Sequence, residues 1–490
     1  MPQAQSLDRN EEGIALLIVL IALTLFSLMG LLSAMDAVTE LRISDNCESH
    51  IRALQAARAG LNHARELLRG LPYDAQLEGA DGGSDASPGY VASARTVAFR
   101  NPIPWLLART LDLSDPDGGV AGMADDGILN TGSTGSAAGM TLIPRTGVIF
   151  GAGLAGDGVI ARYFVKITDN NGEASEVAGD PSDDPFRDGD GVIIVRSLGV
   201  ASTISEVVGA ARNRNSVAAF ESRLRLRRTF ALDAPVVLQG RSVEPSGTGM
   251  FIGDQFLIEG GPDHAGIGVI DPDTLDGMLP AQDVTAGLET GQTGSVQGAG
   301  LIPSIRDLTP LIAAPGEGRL LLERSYLWNF INQEVPQFAD AAFSGSQVWD
   351  AGSAPDLGYY NPAFPATDPL QRPRVTFVGG DLTLNGMIEG AGILVVTGRV
   401  TITGSFGFRG LILLVGAGRL EAEGWNPGLA GGLYMAALTD SGSSVDWANA
   451  RISIAGPTRI AMNEEAIEMA LRLIPPAQIG CREITPTVDP

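Results

Sequence analysis

The chain has 490 residues, of which 57 are acidic and 33 are basic, so its formal net charge at pH 7 is −24. This charge would repel nucleic acid and anionic lipid headgroups, and we expect no nucleic-acid partner. A hydrophobic content of 44% is ample for packed cores, and the length indicates two or three domains. The 63 glycines and the 6% of aromatic residues favour a turn-rich β architecture.

An uncharged apolar run near the N-terminus extends from Ile14 to Met35 and ends at Asp36. At about 1.5 Å per residue, a helix of this length crosses a bilayer core of roughly 30 Å. A secretory signal peptide would have a shorter apolar core followed by a small-x-small cleavage site, whereas here a helical pattern continues beyond the run. We therefore expect a membrane anchor that is retained.

The segment from Asp36 to Leu71 continues this helix. Its apolar residues recur mostly three or four positions apart, with arginines around them, and Pro72 follows as a helix terminator. The sequence predicts one long helix that is buried in lipid over its first half and packed on a domain over its second half.

Two features of this region carry a resemblance to a known family. Gly13 directly precedes the apolar run from Ile14, and residues 53–61 have the sequence ALQAARAGL. The N-terminus resembles class III signal proteins, which are the type IV pilins and the type II secretion pseudopilins. It is most similar to the PilX-type minor pilins, whose corresponding stretch is A-x-x-A-A-E-A-G-L. Arg58 stands where that stretch usually has a glutamate.

The resemblance implies how the chain is processed and where it acts. A prepilin peptidase would cut after Gly13, leaving Ile14 as the mature N-terminus, which can be N-methylated. The helix would sit in the inner membrane and pack against other pilins or minor pilins, with an exported, periplasmic domain. The alternative is an ordinary single-pass anchor that is never cleaved, and the leader, in which Asp8, Glu11 and Glu12 outnumber Arg9, gives little help with orientation.

The fifth residue of the expected mature chain also departs from ordinary pilins. Ordinary pilins have a glutamate there, whereas this chain has Ile18. PilX-like minor pilins and the large pseudopilin GspK share the lack of glutamate, which in that family implies a place at the tip or in an initiating complex.

Three segments after the helix have strand patterns. Apolar residues alternate with polar ones around Val165 and around Leu224, and residues 192–195 form a short apolar run. These segments predict a small antiparallel sheet of the kind that a pilin head contains.

One loop of this head is unusually acidic. Five carboxylates this close together would repel one another unless water or a cation screened them, and calcium is the hard cation that suits oxygen ligands. The spacing is not that of an EF-hand, so a flexible solvated turn is the alternative to a calcium site. The five residues are Asp180, Asp183, Asp184, Asp188 and Asp190.

The two cysteines, Cys47 and Cys481, leave two alternatives open. In an oxidising periplasm they could form a disulfide that closes nearly the whole chain, or they could remain two free thiols. A metal site is not expected from the three scattered histidines.

A regular glycine repeat lies near the C-terminus. Glycine recurs at every sixth residue from Gly380 to Gly416, and the second and fourth residues after most of these glycines are apolar. Each unit predicts a short strand with alternate side chains pointing inward and a glycine at the corner. The repeat therefore predicts a β-solenoid or β-roll, joined by the apolar segments 236–238 and 256–258; the alternative is an ordinary meander.

Solenoids also carry enzymes, so the repeat raises catalysis as an alternative. No nucleophile elbow, phosphate loop or histidine-containing triad is present, and we predict no enzymatic activity. The charged residues of the repeat fall on different units without an evident cluster: Asp381, Glu389, Arg399, Arg409, Glu421 and Glu423.

Together these features predict an α+β fold with a long N-terminal transmembrane and amphipathic helix, a small antiparallel pilin-like sheet and a C-terminal β-solenoid or β-roll. The expected function is that of a PilX-like minor pilin in pilus assembly or tip display. The alternatives are a membrane-tethered β-solenoid adhesin, a GspK-like pseudopilin and a carbohydrate-active enzyme. The predicted segments are a leader (1–13), the helix (14–71), a head with long loops (72–230), a mixed linker or insert (231–374), the repeat (375–463) and a C-terminal helix and tail (464–490).

Overall fold

The computed structural model describes residues 8–73, 103–113, 115, 118–120, 123, 143, 147–150, 161–170, 188–202, 215–240, 251–252, 255–272, 284–314, 316–364, 368 and 370–485. These ranges contain a long apolar N-terminal helix, an antiparallel sheet and a mostly β C-terminal region. The predicted long helix and the predicted β-rich remainder are both confirmed.

Helix α1 spans Asp8–Leu67, so it begins within the predicted leader and passes through Gly13. It ends before Pro72 because Gly70 has a left-handed φ of 82° and its N–H donates to the carbonyl of Arg472 at 2.8 Å. The remaining helices are short. They are α2 Trp105–Thr110, α3 Thr309–Ile312, α4 Arg324–Asn329, α5 Val335–Phe338 and α6 Glu464–Arg472, with 3₁₀ turns at Thr293–Ser295 and Glu317–Leu322 and a π-helical turn at Phe330–Glu334.

The strands are numbered in chain order. They are β1 Val148–Phe150, β2 Ala161–Asp169, β3 Val192–Ala201, β4 Ser216–Arg225, β5 Val236–Gln239, β6 Phe251–Ile252, β7 Leu257–Glu259, β8 Ile267–Ile270, β9 Val296–Gln297, β10 Ile305–Asp307, β11 Ala341–Ser344, β12 Gln347–Asp350, β13 Gly358–Tyr359, β14 Arg372–Gly379, β15 Leu382–Asn385, β16 Ile388–Val396, β17 Arg399–Thr403, β18 Phe406–Gly416, β19 Arg419–Glu423, β20 Gly428–Asp440, β21 Val445–Trp447, β22 Arg451–Ala455, β23 Arg459–Ala461 and β24 Ala477–Ile484.

The head is a five-stranded antiparallel sheet in the order β1-β2-β3-β4-β24. The strands predicted from alternation are β2 and β4, the strand predicted from the apolar run at 192–195 is β3, and their antiparallel arrangement is confirmed. The predicted C-terminal tail is wrong for residues 477–484, because they form β24 beside β4, with Cys481 opposite Ser222. The end of the chain thus completes the sheet that begins after the first helix.

The C-terminal region contains ladders of parallel strands, which we call the stack. One ladder follows the order β12-β15-β17-β19-β22-β6, and the central strands of a larger one are β14, β16, β18 and β20. In the first part of the glycine-repeat region paired residues lie 18 positions apart, as in Leu382 with Val400 and Ile388 with Phe406. Three six-residue units therefore separate one strand from its neighbour there. The offset then increases to 20 between β17 and β19 and to 21 between β18 and β20.

Strands from the predicted linker or insert extend the same ladders. Residues 236–239 in β5 pair in parallel with β20, and residues 257–259 in β7 pair in parallel with β23. This confirms the prediction that the two earlier apolar segments join the repeat.

Two hydrophobic cores flank the long ladder of the stack. The inner core contains alternating residues such as Leu394, Ile412 and Leu414. The opposite face, which includes Ile393 and Leu411, is covered by α6 and by the aromatic-rich segment 326–338. Because both faces are buried, the second halves of β16 and β18 are continuously apolar rather than alternating.

Candidate functional site

The first half of α1 is an apolar surface without protein cover. The helix from Ile14 onward is long and apolar enough to cross a membrane, and its apolar window is 0% buried within the structure. Ile18 is 60% exposed and Phe26 is 73% exposed. Such a surface requires lipid or other helices around it, which weakly indicates a single-pass membrane anchor.

The second half of α1 packs on the head sheet through small residues. Residues 53–61, which we call the resemblance stretch, contain four small residues that are all buried: Ala53, Ala56, Ala57 and Gly60. At Gly199 of β3, an added Cβ would lie less than 3.0 Å from the Ala53 carbonyl oxygen. A larger side chain would therefore push the helix away from the sheet, which gives the small residues of the stretch a direct packing role.

Arg58, the residue that departs from the family stretch, lies at the exposed side of the same helix. Its guanidinium carbon is 5.3 Å from the centroid of the Phe220 ring on β4. This is the geometry of a cation–π contact, which an acidic side chain at the same position would not make.

A buried ion pair ties the strands of the head together. Arg196 on β3 donates to Glu221 on β4 at 2.8 Å, and both side chains are less than 9% exposed. Arg482 on β24 contacts the other oxygen of Glu221 at 2.6 Å. Burial alone would raise the pKa of Glu221, but the two guanidinium groups together lower it by more than burial raises it. The net pKa therefore lies below its ordinary value of 4.5.

The two described residues of the predicted calcium loop serve the backbone. Asp188 Oδ1 accepts from the N–H of Gly191 at 2.8 Å, and Asp190 Oδ1 accepts from the N–H of Val192 at 2.8 Å. These bonds shape the turn before β3. Asp180, Asp183 and Asp184 lie outside the described residues, so the calcium site stays a prediction.

The structure does not join the two cysteines. Cys47 on α1 and Cys481 on β24 are both free and exposed. Of the two alternatives, the arrangement is that of two free thiols rather than of a disulfide.

The charged residues of the repeat lie on two different parts of the surface. The guanidinium group of Arg399 lies 3.8 Å from the carboxylate of Glu421, and the backbone N–H of Arg399 donates to the carboxylate of Asp381 at 2.8 Å. Glu389 and Arg409, in contrast, line a cavity on another ladder. The sequence placed all of these residues on different units without indicating which of them face one another.

His264 occupies a polar site that the sequence did not indicate. Its Nδ1 lies 2.7 Å from Asp233, and its Nε2 lies 2.7 Å from Glu464 at the start of α6. Burial alone would lower the pKa of His264, but the hydrogen bonds and charges of Glu464 and Asp233 together raise it by more than burial lowers it. The net pKa therefore lies above 6.5. Within the described residues, no group of three or more His, Cys, Asp or Glu side chains is arranged to hold a metal.

Comparison of this chain with protein-family models, with curated proteins and with solved structures gives no match.

Proposed function

We propose that this chain is a PilX-like minor pilin of a type IV pilus that takes part in pilus assembly or tip display. The observation that carries the proposal is a single helix with two different surfaces. Its first half is apolar and uncovered, and its second half packs closely on an antiparallel sheet. In a subunit of a helical assembly, the uncovered apolar half of the helix would contact lipid before assembly and neighbouring subunits after it. The packed half would attach the head to the helix.

The resemblance stretch supports the proposal through its position. It forms the helix face nearest to β3, where Gly60 and Gly199 allow close approach. The departure at Ile18 removes a charge that ordinary pilins place near the N-terminus. A subunit without this charge suits a position at the tip or in an initiating complex more than a repeated position along the shaft.

We further propose that the parallel stack is a β-solenoid carried as the exported domain. The 18-residue offset between β16 and β18 supports this architecture, as do the positive φ angles of Gly392 and Gly410, which pair with each other within those strands. A domain of this size would be difficult to repeat along a thin shaft, which again favours a scarce or terminal position.

The N-terminus of the purified protein tests the proposal. Mass spectrometry of protein from cells with an active prepilin peptidase should give a chain beginning at Ile14, whereas cells without the peptidase should retain the leader. Gly13→Val should block processing. Gly30→Val is the matched control, since an added Cβ at Gly30 meets nothing within 4 Å. A leader retained in both kinds of cells would contradict the proposal.

Two neighbouring functions share some of these observations. Ile18 is equally compatible with a GspK-like pseudopilin, and the stack suits a membrane-tethered adhesin that keeps residues 1–13. The mass measurement separates the tethered adhesin, because only that protein keeps its leader in the presence of the peptidase. Recovery of the protein in sheared pili separates the minor pilin from the pseudopilin.

A further inference from the structure

One ladder of the stack carries a trough on its outer surface. The cavity has a volume of about 470 Å³ and crosses β16, β18, β20 and β23, with the loop around Tyr359 at one end. Neighbouring strands of a β-sheet lie about 4.7–4.9 Å apart. The trough therefore extends across several strands rather than lying between two of them.

The trough exists because outward positions on this ladder have little or no side chain. Gly407 pairs with Glu389 on one side and with Gly428 on the other. Gly428 has a φ of 93°, and an added Cβ would lie less than 3.0 Å from the carbonyl oxygen of Arg459, so the backbone requires glycine at this position. Two residues further along the same strands, Ala430 pairs with Arg409 on one side and with Ala461 on the other.

The neighbouring ladder provides a direct comparison. Its outward positions on β17, β19 and β22 carry Arg399, Arg419 and Arg451, which are paired in register. The architecture accommodates long outward side chains there, so the alanines of the trough, Ala430 and Ala461, are not a general requirement of the stack.

Polar and aromatic groups surround this small-residue floor. Arg409 and Glu389 are exposed, and among the described residues neither has an ion-pair partner. Tyr359 is 46% exposed at one end, next to Asn361. The backbone N–H of Asn361 donates to the side chain of Gln371 at 2.8 Å, which fixes the loop that carries both residues.

We propose that this trough binds a linear oligosaccharide laid across the strands. The strand spacing is close to the length of one sugar unit in an extended polysaccharide, so successive units would meet equivalent positions of the floor. An exposed tyrosine ring offers a face for a sugar ring, and the arginine, asparagine and glutamate supply both donors and acceptors for hydroxyl groups.

Other ligand classes fit the trough less well. The net charge of −24 opposes a nucleic acid, and the charged lining opposes a purely apolar ligand. An extended peptide would present alternating apolar side chains, for which the trough offers no apolar pockets. The inference concerns binding without bond cleavage and does not depend on the pilin proposal.

The experiment uses the full-length protein in detergent and an array of immobilised linear hexasaccharides, one series of neutral hexoses and one of uronates, with extended peptides as a third series. We expect binding to at least one saccharide series. Ala430→Trp, which fills the trough, and Arg409→Ala, which removes its free cation, should each weaken that binding by about tenfold or more. Arg419→Ala is the matched control on the neighbouring ladder and should leave binding unchanged.

Three results would overturn the inference: no saccharide binding, binding to peptides alone, or equal losses for Arg409→Ala and Arg419→Ala. Should Ala430→Trp fail to fold by circular dichroism, Glu389→Ala replaces it, because that change only removes an exposed side chain at the edge of the trough. The uronate and neutral series then identify the ligand, since a uronate would depend on Arg409 more than a neutral sugar does.

Discussion

The head and the stack of this protein are stabilised in different ways. In the head, an antiparallel sheet is closed by segments from both ends of the chain, α1 on one face and β24 at one edge. In the stack, parallel strands pair in register, with an 18-residue offset from β14 to β16, from β16 to β18 and from β15 to β17. The head therefore depends on particular side chains that meet from distant positions, whereas the stack depends on backbone conformation at repeated positions.

Two glycines of the stack, Gly392 and Gly410, lie at positions where a larger residue would not fit. They occupy equivalent positions on neighbouring strands and have φ values of 120° and 126°. An added Cβ at Gly410 would lie less than 3.0 Å from the carbonyl oxygen of Gly392. Both the backbone angle and the spacing between strands exclude a side chain there.

The largest expected effect follows from this crowding. Gly410→Val should destabilise the stack by about 4 kcal/mol or more, because the new side chain meets backbone that cannot move aside. Gly424→Ala is the control: its φ is 73°, but an added Cβ meets nothing within 4 Å, so only the backbone cost of about 1–2 kcal/mol applies. Urea unfolding of the full chain, followed by circular dichroism, measures both. Equal losses for the two variants would show that crowding at Gly410 has no role.

The next effect belongs to the head. Glu221→Gln should destabilise the head by about 3 kcal/mol, because it removes the negative charge that pairs with the buried Arg196 guanidinium and with Arg482. Asp446→Asn is the matched control, since the Arg324–Asp446 pair is more than half exposed and should contribute less than about 1 kcal/mol. Limited proteolysis of the full chain reports the head and the stack separately. A loss from Glu221→Gln that appears in the stack rather than in the head would contradict the comparison.

The sequence predicted the elements whose signals are local. The long apolar run and the alternation around Val165 and Leu224 lie within short windows, and the structure has a helix and strands there. Of the periodic glycines, Gly398 and Gly404 lie between strands, whereas Gly392 and Gly410 lie inside β16 and β18. The strand β24 was missed because six of its eight residues are exposed, so it has no alternating pattern. Its conformation depends on the open edge of β4.

The polar sites were harder to predict because their partners are distant. His264 and Glu464 are separated by 200 residues, and nothing near either residue indicates the other. The trough had one available signal: Gly407 departs from the six-residue phase that includes Gly404 and Gly410, whereas Gly428, 18 residues after Gly410, keeps it. A glycine outside that phase indicates a position without a side chain.

The two regions should also respond to pH in opposite directions. The pKa of His264 is raised in the folded chain, so its contribution is complete below 6.5 and is lost as the pH rises through the higher folded value. The pKa of Glu221 is lowered, so its contribution is complete above 4.5 and is lost as the pH falls through the lower folded value. Mild alkali should therefore weaken the stack, and acid should weaken the head.

Thermal unfolding across this pH range, with proteolysis to assign each transition, measures the effect. His264→Gln should remove the alkaline change in the stack and leave the acid change in the head. An alkaline change that persists in His264→Gln would exclude the contact of His264 with Asp233 and Glu464 as its cause.

The smallest effect concerns Arg58, where the chain departs from the family stretch. The contact of Arg58 with Phe220 lies at an exposed site, where a cation–π interaction contributes about 0.5–1 kcal/mol. Arg58→Glu should therefore weaken the attachment of α1 to the head by about that amount, while Arg58→Lys, which keeps the charge, should weaken it less. A double-mutant cycle with Phe220→Leu measures the coupling. A coupling of zero would mean that Arg58 gains nothing from its contact with Phe220, and that the head does not hold this side chain.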